Sequence, residues 1–518
     1  MAWNYFVHHY EKDEERDDKY RKELGGVLYP RAGTLGGCTA HNAMITIVPH
    51  DSDWHGIYDT TKDESWLPHK MWPYFDRVKK WLSTEEVDPK MALGDAQVVE
   101  TVISTAKWGM KKWGIERGLH VRDNPNDIVA RAHVEGMTTV IPLATKKGKR
   151  NGAREFVLEA EEKYGLQIAL HTLATRVILD GDKRAVGVEC WVGQNLYRAD
   201  PNAATPPVYE KKEYRCTREV ILAGGAFNTP QLLMLSGIGP KDHLEEMDIE
   251  CLVERPGVGR NLQDRYEVGI VSEMKQPFAL LKDATFQPPA EGAQGDPCFQ
   301  EWLQGSGLYT SNGAMAALIL KSAATKSDPD LFVFALPGDF HGYFPTYSES
   351  IESRKDHLTW AIVKAHTNNT NGTVRLRNNN PLETPEINFH YFDESNDDPN
   401  DDLNAVVRAV NLVRGMNDAN GAVAKEVIPG RGIAGDAALR KWVADNAWGH
   451  HASCSCKMGD PVDPNAVVDS RFRVIGTTGL RIVDASVFPH IPGFFVVTPI
   501  YMISEKAADV IAEDAGRP

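Results

Sequence analysis

Hydrophobic positions along this chain change period several times, and those changes mark out its elements. Apolar residues recur at helical spacing in HKMWPYFDRVKKWL (His69 to Leu82) and in AQVVETVISTAKWGMKKW, which predicts two amphipathic helices. From Leu166 the texture differs. LQIALHT alternates apolar and polar residues, and TRVILDGDKRAVGVECWV predicts two strands around a tight Asp-Gly turn. REVILAGGAFNTPQLLMLSGIG predicts a buried strand, a glycine turn and a helix. The stretch 270–447 is mixed, with short strands in HLTWAIVKAH and GTVRLRN and one well-patterned helix in LNAVVRAVNLVRGM. In the tail, GLRIVDASVFP predicts a strand and TPIYMISEKAADVIAEDAG a helix ending at glycine. Two regions of strand–helix grammar thus flank a middle of another kind. That organisation predicts an α/β fold (α+β overall): a discontinuous Rossmann-like nucleotide-binding domain with an inserted substrate domain on an antiparallel sheet. The expected nucleotide-binding pieces are 1–60 (partial, its first βαβ unit missing), 151–270 and 448–518. The expected substrate pieces are 61–150, including a lid, and 271–447.

Composition narrows the picture. At 518 residues the chain exceeds what one core supports. A net charge of -15 with scattered Lys and Arg argues against a nucleic-acid partner. The most apolar stretch, VILAGGAFNTPQLLMLSGIG, is broken by Gly, Asn, Pro and Gln, so no membrane span is expected. The N-terminal MAWNYFVHHYEKDEERDDKYRK is aromatic, then densely charged, and does not read as a signal peptide. Seven mostly isolated cysteines, an odd number, fit reduced thiols in a cytoplasmic protein. The acidic run DESNDDPNDDLN has Asp398 where a calcium loop needs Gly and Asn404 where it needs Glu. It is expected to be a solvated loop with Asp401 or Asp402 capping the next helix.

WGHHASCSCKMG (Trp448 to Gly459) is the densest chemistry in the chain. Zinc would need a second ligand pair at the right spacing elsewhere, and none is found, so no metal is expected there.

A family resemblance gives that stretch another meaning. GAFNTPQLLMLSGIG (Gly225 to Gly239) matches every position of the second signature of the GMC (glucose–methanol–choline) flavin oxidoreductases. AGTLGGCTAHNAM (Ala32 to Met44) resembles the first signature, departing from it at Gly33, Cys38 and His41. Its GGCxxHN form is similar to the choline-oxidase branch, in which the matching histidine carries FAD covalently. ERPGVGRNLQD resembles a further family element, with Arg265 replacing the usual histidine. NGTVRLRNNNPLETPEINFHYF, LRIVDASVFP and EKAADVI resemble the C-terminal region.

The resemblance implies FAD as cofactor, with Gly36, Gly37, His41 and Asn42 on the flavin side and His41 either bonded covalently to the flavin or packed against its ring. Gly225 and Thr229 are implied at the cofactor end of a helix that Thr229 and Pro230 should open. Asp484 and Ala485 are implied at the phosphate and ribityl portions. HASCSCKMG falls in register with the family's His-x-x-Gly-Thr-x-x-Met-Gly, which places His451 as catalytic base and Cys454 and Ser455 in the Gly-Thr places. A histidine suits that task because it accepts a proton near neutrality. The family's second His or Asn falls on Phe495, so His450, His490 or Thr498 must serve in its stead, or the substrate binds differently. Phe495 and His450 are the expected substrate-pocket residues. The family's opening G-x-G-x-x-G is not found, which implies an N-terminally truncated flavoenzyme whose missing segment acts in cis or in trans. The expected activity is FAD-dependent oxidation of the CH–OH group of a small alcohol, with hydride passing to flavin N5. An inactive or structural homologue and a non-redox lyase on the same fold are the alternatives.

Overall fold

The computed structural model describes residues 2–86, 93–114, 124–126, 135–395 and 399–516. The aromatic start is a strand: β1 (Ala2–Val7) pairs antiparallel with β2 (Val27–Ala32), setting Tyr5 opposite Tyr29. Both rings are buried, so the hairpin carries an apolar face into the core despite the charged loop that joins its strands. Helix α1 (Asp51–Thr61) follows. Helix α2 (Pro68–Leu82) buries Met71, Phe75, Val78 and Leu82, the stripe its spacing predicts. Helix α3 (Ala96–Trp113) starts at Asp95, whose carboxylate accepts the N–H groups of Gln97 and Val98. The chain then forms β3 (Gly136–Thr138) and α4 (Ala153–Tyr164).

Strands β4 (Thr172–Leu179) and β5 (Ala185–Val192) make the expected hairpin, and β6 (Glu210–Arg215) extends it. LQIALHT, by contrast, is not a strand. Pairing begins at Thr172, and Leu166 and Leu170 remain exposed, so the alternation has no face to bury. Strand β7 (Val220–Leu222) leads into α5 (Gly225–Leu235).

The middle of the chain supplies β8 (Tyr266–Met274), β9 (Ala316–Leu320), β10 (Leu331–Pro337) and β11 (His357–Lys364). After them come α6 (Pro399–Ala419), β12 (Val423–Ile428) and α7 (Asp436–Asn446). The order β12-β8-β11-β10-β9-β3 forms one six-stranded, wholly antiparallel sheet. Its period of two divides the side chains between two cores. Phe332 and Val363 join a core that includes Trp54 and Phe494, whereas Val333, Trp360 and Ile362 join one built with Val406 and Val410 of α6. That double burial is why HLTWAIVK reads as an almost continuous apolar run.

The tail returns to β7: β13 (Leu480–Ile482) pairs with it in parallel, and α8 (Val497–Asp514) closes the chain. Of the acidic run, residues 396–398 lie outside the described residues, and Asp401 and Asp402 sit inside the first turn of α6 rather than capping it. Asp402 is buried, with Oδ1 3.2 Å from the buried ammonium of Lys364 at the end of β11 and Oδ2 accepting the Asn368 N–H at 2.9 Å. A buried cation needs a counter-charge, and that need overrides the solvated reading. Among the described residues, no helix is long and apolar enough to cross a membrane.

Candidate active site

Helix α5 begins at Gly225, four residues before Thr229, which corrects the expectation that Thr229 and Pro230 open it. Gly225 has φ 80°, a left-handed turn that lets the helix leave β7 at once. Pro230 therefore lies inside the helix, where it lacks the N–H that α geometry would aim at the Ala226 carbonyl. That carbonyl is satisfied from elsewhere: Ser455 Oγ donates to it at 2.6 Å. Thr229 Oγ1 accepts the Gly224 N–H (3.0 Å) and donates to Asp484 Oδ2 (2.6 Å). The same carboxylate oxygen accepts the Gly225 N–H at 2.9 Å, and Oδ1 accepts the Ser486 N–H at 2.8 Å. Helix α5, the 450s segment and the turn after β13 are thus tied at one point.

The 450s segment runs beside β8. Backbone pairs link Gln263 with Ser453 and Glu267 with Trp448. Between them Asp264 acts as a hub, its Oδ1 accepting the N–H of His451 (2.8 Å) and of Arg265 (2.8 Å). Its Oδ2 accepts Tyr29 O–H at 2.5 Å, and that phenol oxygen accepts the Ala452 N–H at 2.9 Å. A Cβ on Gly449 would lie 2.3 Å from Asp264 Oδ2, so only glycine fits there. Cys454 has φ 73°, which explains why its place in the motif suits glycine.

These elements enclose a cavity of about 720 Å³. Gly37, His41, Asn42, Gly225, Asp484, Ala485, His450, His451 and Phe495 all line it, so residues nominated from four separate stretches converge on one space. Gly36 and Thr229 stand behind the wall. A Cβ on Gly36 would be 2.8 Å from the Arg154 backbone nitrogen, and Thr229 is buried under Asp484. Thr498 and His490 do not line this cavity; Thr498 is fully buried and His490 faces a second, smaller one. Phe334 and Leu336 of β10 add an apolar wall, and Phe340, Tyr343 and Tyr347 add aromatic faces.

Sequence reasoning missed Glu267, although a carboxylate inside the apolar run YEVGIV was a usable signal. Its Oε1 lies 3.3 Å from His450 Nδ1 and 3.4 Å from His451 Nδ1. Burial, reinforced by Asp264, pushes the Glu267 carboxyl well above the usual range. Burial and then Arg31 pull His450 down to about 3. Burial and then His450 hold His451 well below its ordinary value. The cluster therefore folds around neutral imidazoles and a protonated carboxyl. Phe495 stands edge-on to His451, with centroids 5.7 Å apart. Arg31, also missed, donates to the His450 carbonyl at 3.0 Å and lies over the rings of Tyr29 and Phe227. Burial pushes the Cys38 thiol up, but Arg31 and a hydrogen bond with His41 outweigh it and bring it to about 7.

The fold and this convergent site define a class. The GMC oxidoreductase family model matches residues 25–267 and, for its C-terminal part, 368–504, and the chain belongs to that family of enzymes, whose cofactor is FAD. Among individual proteins, the oxygen-dependent choline dehydrogenase of Stenotrophomonas maltophilia is 31% identical over 494 residues, covering 93% of this chain and 80% of that one. The mitochondrial choline dehydrogenase of Mus musculus is 31% identical over 499 residues, covering 94% and 76%. In fold, an Aspergillus oryzae formate oxidase variant superposes with a TM-score of 0.78 at 21% identity, covering 99% of this chain and 88% of that one. The cavity suits the cofactor: Gly37 and Gly225 line it with positive φ, and a Cβ on either would meet no atom within 4 Å.

Proposed function

We propose that this chain oxidises the CH–OH group of a small alcohol, with His451 as the base. The observation that carries the reading is the placement of a neutral, backbone-pinned His451 in the wall of the cavity. Gly37, His41, Asn42, Gly225, Asp484 and Ala485 would hold FAD there. Bound FAD supplies the hydride acceptor, which is chemistry no side chain offers. His451 directs Nδ1 toward Glu267, so Nε2 is the ring nitrogen available to a substrate hydroxyl. Being neutral, it can take the hydroxyl proton as the carbon gives up hydride. His450 supplies the second polar contact to the substrate oxygen, in the role the family gives to the residue at the Phe495 place, while Phe495 forms an apolar wall. The aromatic faces of Phe340, Tyr343 and Tyr347 suit a cationic amino alcohol. Choline, the substrate named for the relatives, is the first to test.

The test is anaerobic bleaching of the bound flavin by a panel of alcohols, which an inactive homologue or a lyase would not show. His451→Gln should slow that reduction by about 10²- to 10⁴-fold with FAD still bound, and His450→Ala should slow it less. If no alcohol bleaches the flavin, or His451→Gln reduces as fast as the parent, the reading fails.

A further inference from the structure

A second cluster of ligating side chains lies away from the flavin cavity, on the smaller cavity of about 310 Å³. It joins His50, at the N-terminus of α1, Asp53, in its first turn, and His366, just past the end of β11. One ligand atom from each falls within 4.8 Å of the other two. The His50 ring is fully buried; its Nδ1 has only Asp53 Oδ2 at 3.8 Å, too long for a good hydrogen bond, and its Nε2 has no hydrogen-bond partner. A buried imidazole with one nitrogen unanswered and the other only loosely engaged is costly, and it asks for a ligand. The His366 and His50 rings lie tilted at 58° to each other with centroids 5.0 Å apart, and His366 Nε2 lies 2.9 Å from Asp53 Oδ1. Asp53 is already oriented by backbone: its Oδ2 accepts the N–H of His50 (2.7 Å) and of Gly493 (2.9 Å) and lies 3.8 Å from His50 Nδ1, while Oδ1 faces His366. Carboxylates fixed from behind in this way are typical of metal ligands. Asp53 and His366 also line the cavity, which leaves room on the open side for a water.

We propose that His50, Asp53 and His366 form a divalent transition-metal site of the zinc type, with two nitrogen ligands, one oxygen ligand and a fourth position open to the cavity. The donor set is the borderline nitrogen–oxygen mixture that suits Zn²⁺ and disfavours Mg²⁺ or Ca²⁺. Metal replaces the proton shared by His366 and Asp53 and engages the His50 ring. The sequence reading expected no metal because these ligands come from segments 313 positions apart, with only His50 and Asp53 at a local spacing. The site has a structural consequence. Phe494 packs edge-on against His50 at 5.1 Å, and its neighbour Phe495 stands edge-on to His451. Occupancy therefore fixes the loop that carries Phe495, joining α1, the end of the antiparallel sheet and the flavin cavity wall.

The experiment uses the FAD-loaded full chain, stripped with a chelator and titrated with Zn²⁺ against a competing chromophoric chelator. One equivalent per chain is expected, together with an upward shift in the thermal midpoint that Mg²⁺ does not produce. Co²⁺ in its place should give visible d–d bands in a difference spectrum against the stripped protein. His366→Gln, at a partly exposed side chain that should leave the fold intact, is expected to abolish all three signals, and His50→Gln to do the same. Absence of stoichiometric Zn²⁺ binding overturns the proposal. So does binding that survives His366→Gln but is lost in His451→Gln, which would place the ion between Glu267, His450 and His451 instead.

Discussion

Replacing Ser455 with alanine removes the hydroxyl that satisfies the Ala226 carbonyl. Ala226 is 5% exposed, and Pro230, one turn on, has no N–H to give. A buried acceptor left without a partner costs about 1–3 kcal/mol, and Ser455→Ala should destabilise the FAD-loaded protein by that much. The structure also specifies a rescue. Pro230→Ala restores an N–H directed at Ala226, so in that background the loss of Ser455 should cost little. A double-mutant cycle should therefore show a coupling of about 1–2 kcal/mol between two residues whose side chains need not touch. Unfolding in guanidinium chloride at fixed FAD, followed by flavin fluorescence, gives the four free energies. Where unfolding is irreversible, the four unfolding rates serve instead. If the two changes add to within about 0.5 kcal/mol, the carbonyl is not what joins the helix to the His451 segment, and the reasoning is wrong.

Gly449→Ala should push Asp264 aside and with it the His451 N–H, slowing flavin reduction by about 10²-fold; a parental rate would show that the hub tolerates the methyl. The pH dependence of stability should peak near neutrality. Folded, the Glu267–His450–His451 cluster holds one proton, because Glu267 is raised and both histidines are lowered. Unfolded, it holds two between about pH 4.3 and 6.5 and none above, so stability should rise by about 1.4 kcal/mol per pH unit through that window and decline beyond it. Glu267→Gln should remove the decline and steepen the rise, and a flat profile in the parent would refute the proton count. If His41 carries the flavin covalently, acid precipitation of loaded protein should leave the yellow colour in the pellet; colour only in the supernatant rules that out.

The long helices and the β4–β5 hairpin were legible because each buries one face, and burial of one face leaves a period in the sequence. The start of α5 was misplaced because Thr-Pro is an ordinary helix opening, and only the tertiary contact from Ser455 makes an internal proline tolerable. The β1–β2 hairpin went unseen because its charged loop dominates the local composition, while its strands are short and bury only a few side chains, Tyr5 and Val7 on one and Val27, Leu28 and Tyr29 on the other. At the site, residues inside contiguous motifs were readable. The roles of Asp264, which lies inside a quoted motif, and of Glu267, flagged only by its place in an apolar run, were not, because their partners lie on segments nearly 200 positions away and only the folded chain brings them together.

Alternate residues of β10 have separate duties. Phe334 and Leu336 face the flavin cavity, while Val333 and Ala335 are buried in the second core. His451, meanwhile, is held through its backbone N–H by Asp264 and does not rely on the strand opposite. On the function proposed above, substrate choice and proton transfer would thus be mounted on separate supports. Under that proposal, changes at these two cavity-facing side chains would alter which alcohols fit while leaving the Asp264 contact that holds the His451 backbone in place. Such modularity would let one scaffold diversify its chemistry by drift along a single strand.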